Sequence, residues 1–344
     1  MTARTLAALV VAGVTLLVGG CASQPTMQGD LVIAKQGSFF VGGREVRSDK
    51  MSMVPTVTAA GTIVVDQMYV RYQVPPSAKR FPIVMVHGCC LTGKTWETTP
   101  DGRMGWDEFF LRKGYGTYVV DQAWRGRSAW NPAAINQVKA GAAAPDTLPT
   151  LFAAGQEPAW AIFRFGPEHG KTFPGMKFPL DAQAEFWKQM VPDWFNALPM
   201  PNPTVPSLGE LARKLNGAVL MSHSQSGIYP FQAAALDTTG IAAIVSIEPS
   251  ACPAVTSDLT PYTKMPILVL YGDYMELSPR WAPRLKLCRE FVAAANARGG
   301  KAQLVVLPEI GIPGNSHMLM QDTNSLEIAE WLSKWLDGAL RTGG

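Results

Sequence analysis

Six short, unbroken apolar runs constrain this chain more than any other feature. FPIVMVHG (81–88), YGTYVVDQ (115–122), GAVLMSHS (217–224), IAAIVSIEP (241–249), MPILVLYGD (265–273) and AQLVVLPE (302–309) carry little or no alternation with polar residues. A strand with one wet face alternates, whereas continuous apolar runs of this length fit strands buried on both faces. Between them lie stretches of helical period at 105–113, 207–215, 226–236, 279–298 and 324–340. Strands alternating with helices make βαβ units, so the expected class is α/β, a mostly parallel central sheet covered by helices. Two earlier segments, 31–40 and 62–73, do alternate, as in IVVDQMYVRY, and read as an antiparallel hairpin or edge.

One segment breaks this rhythm. Between VVDQ and GAVLMS, where a single crossover helix would suffice, lies a long insertion at about 123–206, rich in Pro, Trp and Phe. A structureless loop of that length does not suit a compact domain. A helical cap is expected instead, at the carboxyl edge of the sheet where open α/β sheets bind ligands. Its aromatic residues are expected either to line an apolar substrate pocket or to pack the cap onto the body. A chain of 344 residues, 47% of them apolar, has material for such a large core. A formal charge of +3, with no run of like charges, gives no footprint for nucleic acid.

The first residues follow a different rule. MTARTLAALVVAGVTLLVGG has one early arginine, Arg4, an apolar core of about a dozen residues and a small-residue ending, the layout of an export signal at 1–20. The run is short for a bilayer span, which needs about 20 apolar residues. Val18-Gly19-Gly20-Cys21 matches a bacterial lipobox, in which Cys21 is acylated; the competing reading is an ordinary cleavage site. A polar tether at 21–30 and a domain at 31–344 would follow, and Ala22 after the cysteine points to the periplasm and the outer membrane. Acyl chains hold because each buried methylene contributes about 0.8 kcal/mol. Export leaves Cys89, Cys90, Cys252 and Cys288 as an even set in a disulfide-permissive compartment, with three pairings open. Metal binding is the weaker reading because no CxxC or CxxH spacing occurs.

The chemistry concentrates at GAVLMSHSQSGIYPFQAAA (217–235), where an apolar strand runs into Ser222-His223-Ser224-Gln225-Ser226-Gly227 and then a helix. That is the context of a nucleophile elbow, with Ser224 as nucleophile and small residues, Ser222 and Ser226, two positions to either side. The bland alternative is a helix N-cap serine. A serine at its free pKa needs a base. Of four histidines, His87 belongs to the HG turn, His169 to the cap, and His223 adjoins the serine facing the other way. His317, after the last strand run and before the last helix, is where α/β-hydrolases place the base. The acid is open between two strand ends. Glu248, after IVSI, is preferred; Asp273, after LVLYG, is the alternative, with turn formation as its bland reading. The oxyanion of acyl transfer needs N–H donors, one from the residue after the nucleophile, Gln225, and one from the turn after HG, Cys89.

VHGCCLTGKTWETTPDGRMGWDEFFLRKGYGTYVVDQAWRGRS, LMSHSQSGIYPFQAA, IVSIEPSACP, PRWAPRLKLC and GNSHMLMQD resemble an unusual group of bacterial carboxylesterases in the α/β-hydrolase superfamily. The resemblance spans most of residues 80–340 and implies the α/β-hydrolase fold and a Ser-His-Glu triad, hence Ser224, His317 and Glu248. It implies a disulfide between the adjacent Cys89 and Cys90 at the oxyanion site and a second between Cys252 and Cys288. Adjacent Cα atoms lie about 3.8 Å apart, under the usual disulfide minimum of about 4.4 Å, so the first bridge would distort its own turn and stiffen the Cys89 N–H. The second closes a loop of about 37 residues, worth roughly 3–4 kcal/mol in chain entropy, and ties down the Glu248 loop. The lipobox lies outside the resemblance.

The sequence therefore reads as an exported, lipid-anchored serine carboxylesterase acting on small esters with apolar or aromatic groups, with no metal or organic cofactor implied. An amidase, lactonase or aryl-polyester hydrolase would use the same apparatus, and a catalytically silent binding protein could share the fold. A homodimer is compatible with the chain, and oligomeric state is not fixed by it.

Overall fold

The computed structural model describes residues 29–341. The export signal, Cys21 and most of the tether lie outside the described residues. Eight strands form one sheet. β1 (Lys35–Ser48) pairs antiparallel with β2 (Gly61–Val74), and β2 pairs antiparallel with β4 (Thr117–Asp121). From β4 onward every pairing is parallel, through β3 (Ile83–Val86), β5 (Ala218–His223), β6 (Ile241–Ile247), β7 (Pro266–Tyr271) and β8 (Lys301–Val306). The order is β1-β2-β4-β3-β5-β6-β7-β8.

The unbroken apolar runs follow from helices on both faces. Val84, Val86 and Leu220 point to one apolar cluster, shared with Leu208 of α5 (Thr204–Lys214), Phe231 of α6 (Tyr229–Leu236) and Phe291 of α7 (Ala282–Asn296). Their strand neighbours Ile83, Met85 and Val219 point to a second, shared with Phe109 of α1 (Trp106–Arg112) and Leu332 of α8 (Ser325–Arg341). Successive side chains of a strand alternate between faces, so two dry faces demand apolar residues at every position. Each fully buried Leu or Phe contributes about 1.5–3 kcal/mol.

The hairpin runs further than its alternation indicated. β1 continues to Ser48, where Ser48 pairs with Gly61 and Arg44 with Val65, while β4 reaches β2 only from Tyr69 to Gln73. This outer half is a two-stranded ribbon with β1 largely exposed, so no buried face imprints a period of two on VGGREVRS.

Between β4 and α5 the chain forms α2 (Ala133–Lys139), α3 (Gln156–Ile162), α4 (Gln183–Lys188) and three single turns of 3-10 helix at 145–147, 180–182 and 195–197. Short helices leave much of the insertion irregular, and aromatic packing holds it. Phe163, Phe165, Phe178 and Phe186 are buried in the same cluster as α1 and α8, with Phe165 and Phe178 stacked at 4.2 Å and Phe163 edge-on to Phe186 at 5.2 Å. Five parallel strand ends, carrying His87, Ser224, Glu248, Gly272 and the segment to His317, open on the carboxyl edge of the sheet.

Candidate active site

Ser224 follows β5 directly and begins a 3-10 turn, Ser224–Ile228, that leads into α6. Its φ of 59° lies in the left-handed region, which costs a residue with a side chain about 1–3 kcal/mol. The surroundings enforce it. A Cβ on Gly88 would fall 2.8 Å from Ser224 Cβ, and one on Gly227 would fall 2.6 Å from Pro249 Cα, so both neighbours must be glycine. Ser226 Oγ accepts from the His223 N–H at 3.2 Å, a contact that closes the turn.

One imidazole joins the strand ends. His317 Nε2 lies 2.8 Å from Ser224 Oγ and Nδ1 lies 2.9 Å from Glu248 Oε2. Ser224 is partly exposed, while His317 and Glu248 are fully buried. The Trp281 ring packs 4.3 Å from the imidazole, and the His317 N–H donates to Phe163 O at 2.9 Å. Burial pushes the pKa of His317 down to about 4 against the opposing pull of Glu248, so the ring is neutral at pH 7. Its loop is tied by Asp322, whose carboxylate accepts from Ser316 N at 2.8 Å and Ser316 Oγ at 2.6 Å. Burial raises Asp322 to about 6.

Glu248, also at positive φ (52°), accepts two parallel hydrogen bonds from Arg164, at 2.6 and 2.5 Å, and one from Gly272 N at 2.5 Å. Burial alone would raise its pKa; the adjacent Arg164 charge and the hydrogen bonds from His317 and Arg164 outweigh that and hold it at about 2. Asp273 is elsewhere. Its carboxylate accepts from Tyr274 N at 2.6 Å and Gly314 N at 2.7 Å, and its carbonyl accepts from Arg164 Nε at 2.8 Å. His223 does not face away from the site: its Nε2 lies 2.9 Å from His317 O and its ring 4.7 Å from that of His317. The sharp turn after β5 brings the residue before Ser224 onto the loop after β8. His87 bonds to Gln122 N at 3.1 Å below the HG turn, and His169 packs edge-on to Trp160.

Cys89 and Cys90 are joined by a disulfide, with Cys90 at φ 61°. The Cys90 N–H donates to Asp193 Oδ2 at 3.1 Å, whereas the Cys89 N–H has no partner among the described residues. Asp193 also accepts from Gln225 Nε2 at 3.2 Å and pairs with buried Arg125 at 2.5 Å. Gln225 is the second residue of its turn, where a backbone N–H has no partner within the helix. The sulfurs of Cys89 and Cys90 and the Asp193 carboxylate lie within 4.8 Å of one another, but oxidised sulfurs and a carboxylate engaged with Arg125 do not form a metal set. The second disulfide, Cys252–Cys288, joins the loop after Glu248 to α7.

Ser224 opens on a cavity of about 690 Å³, in the size range of small-molecule sites. The insertion lines it with Phe152, Pro158, Ile162, Phe163, Phe195 and Met200. Trp160, Phe165, Phe178 and Phe186 of the same segment lie in the core, so its aromatic residues both line this cavity and pack the segment onto the body. Arg164, Arg125, Asp193 and Trp281 carry much of the site and escape sequence reasoning. A lone arginine inside AWAIFRFG was the one available signal, since a charge within an apolar stretch needs a buried partner.

A sheet of this order, with a serine held at positive φ between strand and helix, defines the α/β-hydrolase architecture. No family model matches the chain. Among solved structures it is similar to one described as the atomic-resolution structure of a novel bacterial esterase, with 60% identity, 91% of this chain and 98% of that chain covered, and a TM-score of 0.90. It is also 26% identical over 323 residues, 78% of this chain and 85% of the relative, to a probable secreted lipase, phiG, of a fungal species (strain ATCC 74256). The chain belongs to the α/β-hydrolase superfamily, in the family of that bacterial esterase.

Proposed function

We propose that the protein is a serine carboxylesterase that works through an acyl-enzyme. The observation that carries this reading is the single neutral imidazole of His317 held between Ser224 Oγ at 2.8 Å and Glu248 at 2.9 Å. Ser224 Oγ attacks the ester carbonyl as His317 Nε2 takes its proton, and Glu248 accepts the Nδ1–H and stabilises the imidazolium. The N–H groups of Cys89 and Gln225 receive the oxyanion. Collapse expels the alcohol, which takes the proton from His317. Water, deprotonated in turn by His317, then attacks the acyl carbon and releases the acid and Ser224. The insertion at 123–206 is the cap that shapes the acyl and alcohol sites.

The test is labelling by a fluorophosphonate probe alongside turnover of p-nitrophenyl esters. Wild type is expected to label and Ser224→Ala to lose both labelling and at least about 10³-fold in kcat. Folded wild-type protein that neither labels nor turns over would leave a silent hydrolase fold. Glu248→Gln is expected to lower kcat far more than Asp273→Asn.

The same reading places the protein outside the cytoplasm, supported by its two disulfides and by the secreted relative. Anchoring through acylated Cys21 to the outer membrane rests on the lipobox. Cys21→Ser should move the activity from the membrane fraction to the soluble one, and an unchanged distribution would remove the anchor. Among the described residues no helix is long and apolar enough to cross a membrane.

A further inference from the structure

The cavity beside Ser224 has an unbalanced charge. Among the described residues its lining contains no Asp, Glu or Lys; the ionic side chains are Arg280, in the turn before α7, and Arg284, in the first turn of α7, which flank the Trp281 that packs on His317. Neither guanidinium has a carboxylate partner among the described residues. Arg284 is fixed rather than loose: Nε donates to Ser250 O at 3.0 Å, Nη1 donates to Arg280 O, and the group lies 5.4 Å from the Trp281 ring centre. Its Nη2 has no partner among the described residues. The Arg280 side chain holds nothing in the fold, and burial together with the nearby Arg284 charge disfavours its protonated form. Arg280 is exposed and Arg284 half-buried, and two neighbouring cations that line an apolar cavity with no carboxylate partner among the described residues are complementary to an anion brought by the ligand.

Building on the serine-esterase reading, we infer that this site takes esters carrying a carboxylate, with the apolar part in the cap pocket and the carboxylate on Arg280 and Arg284. Half-esters of dicarboxylic acids and carboxylated benzyl esters are the chemical class. A free carboxylate then selects substrate without touching the reacting carbonyl, and neutral esters of equal size forfeit the charge-assisted hydrogen bonds.

Two matched pairs test this with the full-length enzyme. p-Nitrophenyl hemiglutarate against p-nitrophenyl valerate places the charge on the acyl side, and 4-carboxybenzyl acetate against 4-methylbenzyl acetate places it on the alcohol side. In at least one pair the anionic member should lead by about tenfold in kcat/KM. That ratio should collapse towards unity in Arg280→Gln and in the Arg280→Gln/Arg284→Gln double variant, and 0.5 M salt should lower it. The ratio cancels any shared effect of charge on His317, and the single variant serves if losing Arg284 disturbs α7. Preference for the neutral member in both pairs, or a ratio unmoved by the substitutions, overturns the inference and leaves the esterase standing. If none of the four esters turns over and the fluorophosphonate does not label, the esterase reading itself falls and this one with it.

Discussion

Replacing Arg164 by methionine separates two things that this arginine does. The guanidinium is fully buried, donates to both oxygens of Glu248 at 2.6 and 2.5 Å and to Asp273 O at 2.8 Å. Removing one partner from a buried ion pair costs about 3–5 kcal/mol. Glu248 would keep the Gly272 N–H and His317, which puts the loss near the lower end, about 3 kcal/mol, or a fall in Tm of roughly 4 °C for a chain of 344 residues. The second effect is electrostatic. In the native site burial keeps His317 neutral down to about pH 4, and the fixed positive charge of Arg164 acts in the same direction. Without it the Glu248 charge is answered by the imidazole alone, so protonation of His317 becomes easier and its pKa rises towards 6.5. Since only neutral His317 can take the serine proton, kcat/KM should retain its value near pH 8 better than at pH 5, and the acid limb should move upward. Measuring kcat/KM on a p-nitrophenyl ester between pH 4 and 9, well below the melting range, gives the second effect independently of the first. A lowered Tm with an unmoved acid limb would refute the electrostatic role, and an unchanged Tm would refute the pairing energy.

Removing the Cys252–Cys288 bridge as a double alanine variant should cost about 3–4 kcal/mol from the loop it closes over a separation of 36 residues, read from the urea midpoint; a loss under 1 kcal/mol would contradict that account. Gly88→Ala should lower kcat/KM by at least about 10²-fold with the fold intact by circular dichroism, because the new methyl would sit 2.8 Å from Ser224 Cβ and 2.9 Å from His223 Nδ1; undiminished turnover would refute it. Stability should fall as pH drops below about 6.5. The unfolded chain protonates its histidines there, whereas buried His87 and His317 wait until about pH 4 and His223 until about pH 3, and Asp322, raised to about 6, returns one of those three protons to the folded state. Two protons net amount to about 3 kcal/mol per pH unit near pH 5, and a urea midpoint that is flat between pH 5 and 7 would exclude this.

The central sheet was legible because burial on two faces writes itself into consecutive residues, as IVMV and AVLMSH show. The outer half of β1 was not, because a ribbon without a buried face leaves no pattern. Ser224 and His317 could be singled out from local context and chain order. Asp193 and Arg125 could not: 68 residues separate them, and only the folded insertion brings the carboxylate beneath Cys90 and Gln225. Arg164 is the intermediate case, where the sequence betrays a charge in need of a partner without saying that the partner is Glu248, 84 residues away. Glu248 was already preferred over Asp273 in the sequence, and what the sequence could not supply is that Glu248 lies 2.9 Å from His317 Nδ1 while Asp273 bonds to Gly314 N on the same loop.

The counter-charge of Glu248 comes from the insertion and not from the sheet. In many modular architectures an inserted segment can be exchanged while the body keeps its chemistry. Here a transplanted insertion lacking an equivalent of Arg164 would leave the buried Glu248 carboxylate without its counter-charge, held only by the Gly272 N–H and His317. Reshaping the cavity while keeping that counter-charge would therefore fall to point changes at wall positions such as Phe152, Pro158 and Met200 and not to exchange of the segment as a whole.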